Sequence, residues 1–118
     1  MKKARLGLLL SIALCFGAAG VAAAEDTTVK GQLRDSFCWN VAGAQGPSHR
    51  ACAIACAKKG IPVTLVEDGT NKPYVLLPPK DKQGLPESVI SRMEGEASIT
   101  GTVYTKGGVS YLRVKSVQ

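Results

Sequence analysis

Three cysteines and the only histidine of this chain fall within nineteen residues of one another, at Cys38, His49, Cys52 and Cys56. Thiolate and imidazole are the donors that Zn(II) selects, and thiol-rich sets also suit Cu(I), because soft sulfur matches soft or borderline cations. On a helix, residues three and four apart share a face, so the spacing His-x-x-Cys-x-x-x-Cys places His49, Cys52 and Cys56 on one stripe. Cys38, on the segment after a predicted strand, needs only a modest reversal of the chain to join them. The four residues therefore form a candidate Cys3His metal site, with Zn2+ in a closed structural role as the first expectation and Cu+ as the second.

Other uses of the same residues are weighed by their geometry. A disulfide from Cys38 to Cys52 or Cys56 would pin the segment to the helix and stabilise a small domain by about 2–4 kcal/mol. That is the competing reading: a disulfide-stapled module that binds a protein or small ligand without metal. A Cys52–Cys56 bridge is awkward inside a regular helix, where side chains four apart stand too far from each other for a disulfide. Covalent haem attachment needs Cys-x-x-Cys-His, and here the histidine comes first. Neither Cys-x-x-Cys at a helix start nor an oxyanion site marks a thiol enzyme, so a binding or structural role is expected rather than catalysis. Asp35 is expected to cap the following segment or to orient His49, and Trp39 to cover the junction of loop and helix.

The elements that must hold these residues follow from periodicity. Residues 27–35 alternate, with Val29, Gly31 and Leu33 on one side and Thr28, Lys30, Gln32 and Arg34 on the other, as in a half-buried strand. Residues 36–46 are rich in Gly, Ala, Asn and Gln and read as a loop. A helix is expected from about His49 to Lys59, with Ser48 as its N-cap and Gly60 as its stop. Strands follow at 63–67 and 73–77 around an Asp-Gly turn. A short helix comes at 85–93, where Leu85, Val89, Ile90 and Met93 share a face. Strands at 97–104 and 109–117 flank Gly107-Gly108. Five strands, with the Cys-bearing helix between the first two and a short helix between the third and fourth, predict a mainly β, OB-fold-like barrel. Gly31 and Gly101 inside strands suit its tight bends.

The stretches "VKGQLRDSFCW" and "HRACAIACAKKGIPVTLV" resemble a group of small bacterial secreted or periplasmic proteins of unassigned function. The shared pattern is Gly31, Asp35 and Cys38, then His49, Cys52, Ala53 and Cys56, then Gly60 and Pro62. The resemblance implies an OB-fold-type domain and joins the Asp, Cys and His positions into one motif, without an activity to carry over.

Export is also written at the N-terminus. Lys2, Lys3 and Arg5 precede an apolar stretch from Leu6 to Phe16, and Ala22-Ala23-Ala24 supplies small residues for cleavage. Residues 1–24 are therefore expected to be a signal peptide cleaved after Ala24, residues 25–118 a single domain, and the location periplasmic or secreted. Cys15 would leave with the signal, so an odd three cysteines remain where thiols tend to oxidise. The chain's net charge of +6 falls with the loss of Lys2, Lys3 and Arg5, leaving a mildly basic domain without the basic runs or aromatic motifs of a nucleic-acid binder. An envelope protein or small ligand is the expected partner, with no stable membrane insertion after cleavage.

Overall fold

The computed structural model describes residues 25–118. The predicted signal peptide, Cys15 included, lies outside the described residues.

The expected barrel is observed: five strands close in the order β1-β2-β3-β5-β4 and back to β1. Strand β1 (Asp26–Asp35) keeps its two-residue period, burying Val29, Gly31, Leu33 and Asp35 in turn. Its first half pairs antiparallel with β4 (Glu96–Lys106) and its second half with β2 (Val63–Glu67), the two pairings overlapping at Gly31 and Gln32. The strand must bend sharply there. A Cβ on Gly31 would run into the Val66 carbonyl oxygen, so only glycine permits the approach. Gly101 does the same against the Arg113 carbonyl, beside the register shift at Thr100 and Gly101. Strand β3 (Pro73–Leu77) pairs antiparallel with β2, and its parallel pairing with β5 (Val109–Val117) closes the barrel. Gly107 and Gly108, both at positive φ, turn β4 into β5.

Leu33, Val63, Leu65, Ile99, Leu112 and Val114 fill the interior. The one-turn helix α3 (Glu87–Ile90) and the turn after it add Val89 and Met93 to the same core. Burying one such side chain contributes about 1.5–3 kcal/mol, so the barrel supplies a rigid frame for whatever stands at its edge. Helix α2 (Arg50–Lys58) lays Ala53 against that core.

Three helices differ from the sequence expectation. Residues 36–42, expected as loop, form α1 (Ser36–Ala42). Asp35 caps its start, and Gly43 ends it in the left-handed conformation, donating from its amide to the Trp39 carbonyl while Ala44 donates to that of Cys38. The second helix begins with a 3-10 turn at Pro47–His49, so Ser48 lies inside the turn and His49 takes the N-cap position of α2. The helix expected over 85–93 keeps only one regular turn, because Pro86 precedes it and the chain from Ser91 turns to enter β4. No helix among the described residues is long and apolar enough to cross a membrane.

Candidate metal centre

The site is built outward from Asp35. As the last residue of β1 it takes the core-facing phase of the strand, which leaves its carboxylate completely buried at the barrel edge. Its Oδ1 accepts from the backbone N–H groups of Phe37 at 3.0 Å and Cys38 at 3.4 Å, starting α1 where the strand stops. Such a cap contributes about 1 kcal/mol. Ser36 adds a hydroxyl contact to Thr64 at 2.8 Å and a backbone bond to the Pro62 carbonyl, tying α1 to the start of β2. Cys38 is thereby held half-buried in the first turn of α1.

The return to α2 is fixed by a residue that sequence reasoning missed. Glu94, between α3 and β4, sits at φ 60° with its side chain fully buried. Its Oε2 accepts from Arg34 at 2.9 Å and from the Gly46 N–H at 2.8 Å, and its Oε1 lies 3.5 Å from the Asp35 N–H. One carboxylate thus holds the end of β1 and the loop that leads to His49. The sequence Met93-Glu94-Gly95 carries no mark that separates such a residue from a solvated surface charge.

Cys38, Cys52 and Cys56 come together, their sulfurs all within 4.8 Å of one another, and all three are free thiols. Cys52 is exposed and the other two are half-buried. A second group, on the same 4.8 Å criterion, consists of Asp35, Cys38 and His49. The expected four donors and Asp35 are therefore arranged as two overlapping triads that share Cys38, with His49 grouped beside Asp35. The cause is local. His49 has ψ −6° and belongs to the 3-10 turn, so it leaves the helical stripe that carries Cys52 and Cys56. Its Nε2 faces Asp35 Oδ2 at 3.6 Å, just beyond a direct hydrogen bond, and both atoms are buried. Asp35 thus caps α1 with one oxygen, as expected, and faces His49 with the other.

The charges in the cluster bear on each other. Burial pushes the Asp35 carboxyl up, but the thiol donors of Cys56 and Cys38 and the N–H groups of Cys38 and Phe37 outweigh it and hold its pKa below the ordinary value. The same contacts act in reverse on sulfur. Cys56 is pushed up to about 12, chiefly by hydrogen bonding to Asp35, and Cys38 is raised by desolvation and then by Asp35. Without a metal, the stable form is a carboxylate surrounded by protonated thiols. A cation that displaces those protons would enter a site of high negative charge.

Two clefts lie outside this cluster. An apolar one of about 500 Å³ runs between the end of α2 and β3, past Ile61, Val75, Leu77 and Leu85. A polar one of about 240 Å³ is lined by Trp39 with Gln32, Arg34, Gln45 and Asn71. Trp39 thus faces a cleft over β1 and β2.

Fold and site together define a small closed barrel with a Cys/His/Asp cluster at its edge that is able to hold a metal ion. Compared with models of known protein families, with curated proteins and with solved structures, the chain matches none.

Proposed function

We propose that this protein is an exported, non-catalytic module that binds one thiophilic metal ion, Zn2+ or Cu+, at the cluster formed by Cys38, Cys52, Cys56 and His49 together with Asp35. The observation that carries the reading is the buried Asp35 Oδ2 and His49 Nε2, facing each other at 3.6 Å without a direct hydrogen bond and set beside three converging sulfurs. A cation between the two atoms would take an oxygen from the carboxylate and a nitrogen from the imidazole, both donors that zinc accepts. The separation also fits: two ligands of a tetrahedral zinc, at Zn–O and Zn–N near 2.1 Å, stand about 3.4 Å apart, against the 3.6 Å seen here. Cys38 Sγ, which lies within 4.8 Å of a donor atom on each of Asp35 and His49, offers the same ion a sulfur donor.

Reduced residues 25–118, titrated with Zn2+ against a chromophoric chelator, test the reading. Close to one ion per chain is expected, bound with sub-micromolar affinity and weakened in Cys38→Ser. A wild-type protein whose three thiols are reduced and which takes no ion from the chelator would overturn it.

A further inference from the structure

The two donor triads differ in chemical character as well as in position. Cys38, Cys52 and Cys56 offer three sulfurs at the solvent side, where Cys52 is exposed. Asp35, Cys38 and His49 offer one oxygen, one sulfur and one nitrogen at the barrel side, where the Asp35 side chain is fully buried and that of His49 is 13% exposed. Softness separates the ions that such sets prefer. Cu(I) favours sulfur alone and accepts three-coordinate geometry, whereas Zn(II) binds mixed nitrogen, oxygen and sulfur ligands in a tetrahedron.

Resting on the metal-binding reading, we propose that the cluster is a two-mode site that sorts metals by softness: Cu(I) on the Cys38–Cys52–Cys56 face and Zn(II) on the Asp35–Cys38–His49 face. Three sulfurs around a planar three-coordinate ion at about 2.3 Å stand roughly 4.0 Å apart, within the spread of the outer group. The inner pair, Asp35 Oδ2 and His49 Nε2 at 3.6 Å, matches the oxygen-to-nitrogen edge of a zinc tetrahedron. Cys38 belongs to both sets, so the modes exclude each other and the site holds one ion at a time. The exposed position of Cys52 keeps the sulfur face open to an incoming carrier of Cu(I), while the zinc mode draws the ion toward the barrel. Metal identity therefore decides which side chains are engaged and whether Cys52 remains a free surface thiol.

The test is a matrix of two metals and three variants, using the reduced domain under anaerobic conditions. Zn2+ is titrated against a chromophoric chelator and Cu+ against bicinchoninate. His49→Gln is expected to weaken Zn2+ by roughly 100-fold while leaving Cu+ within about threefold. Cys52→Ser, at an exposed position that does not disturb the core, is expected to do the reverse, and Cys38→Ser to weaken both. In the zinc-loaded protein Cys52 should be alkylated as fast as in the metal-free form, and in the Cu+ form it should be protected. Adding one equivalent of Cu+ should release the Zn2+ completely. Equal losses of both metals in His49→Gln and Cys52→Ser, or simultaneous binding of Zn2+ and Cu+, would overturn the two-mode site while leaving metal binding intact. Failure of wild type to bind either ion would overturn the metal reading itself.

Discussion

Removing Glu94 should cost this domain more stability than any other single change at the site. In Glu94→Ala the Arg34 guanidinium, on a side chain only 13% exposed, loses its counter-charge, and the Gly46 N–H loses its acceptor. Breaking a buried ion pair by deleting one partner costs about 3–5 kcal/mol. Arg34 keeps some access to water, so the lower end applies, near 3 kcal/mol. The stranded amide adds about 1 kcal/mol, and the bond to the Asp35 N–H, at 3.5 Å, adds little. The expected loss of about 4 kcal/mol is a large part of the 5–15 kcal/mol that holds a typical domain. Glu94→Gln keeps an acceptor for Gly46 and should lose only about 1–2 kcal/mol. Adding Arg34→Met to Glu94→Ala removes the orphaned charge and should recover at least about 1 kcal/mol. Urea denaturation of the reduced, metal-free domain reads all three, with unchanged m-values as the control for two-state behaviour. A Glu94→Ala protein within about 1 kcal/mol of wild type, or a double variant less stable than Glu94→Ala, would refute the role assigned to this carboxylate.

Other consequences are equally open to measurement. Asp35→Ala removes the cap of α1 and should cost at least about 1 kcal/mol in urea, while also weakening Zn2+ in chelator competition. Gly31→Ala sets a Cβ against the Val66 carbonyl and should lower thermal stability by about 1–3 kcal/mol, with a smaller loss for Ala at the open turn position Gly84. Because Cys38 is raised and Cys56 is pushed up to about 12, both thiols are protonated near neutral pH. Each one that binds a metal should therefore release about one proton to a weakly buffered indicator, and apparent affinity should rise with pH. The metal-free protein should also lose stability at both pH extremes. The lowered carboxyl of Asp35 contributes stability that is complete above its unfolded value, about 3.9, and disappears as pH falls through the folded value. The raised Cys56 contributes stability that is complete below its unfolded value, about 8.5, and disappears as pH rises towards about 12.

How far the sequence revealed this protein differs between barrel and site. The strands were legible because alternation runs through β1, β4 and β5, and because β2 and β3 coincide with short apolar runs. Helix α1 was hidden by a composition of Asn, Ala and Gly that resembles loop, although its two caps, Asp35 and Gly43, stood at its ends. The same alternation that marked Val29, Gly31 and Leu33 as inward, carried one step further, places Asp35 inside as well. That step turns an apparent loop cap into a buried carboxylate facing His49. The convergence of Cys52 and Cys56 follows from helical spacing, but the departure of His49 from their stripe depends on a 3-10 turn set by Gly46 and Pro47, which periodicity does not encode. Glu94 was not legible at all, since its partners Arg34 and Gly46 are 60 and 48 residues away and meet it only once the barrel has closed.

The central claim is that the cluster binds a metal through its own sulfur, nitrogen and oxygen donors. X-ray absorption at the zinc edge of the reduced, zinc-loaded domain tests it most directly. The account predicts a four-coordinate ion with sulfur at about 2.3 Å and lighter donors at about 2.0–2.1 Å, the sulfur shell shrinking in Cys38→Ser. A spectrum showing only oxygen and nitrogen neighbours, unchanged by Cys38→Ser, would contradict it.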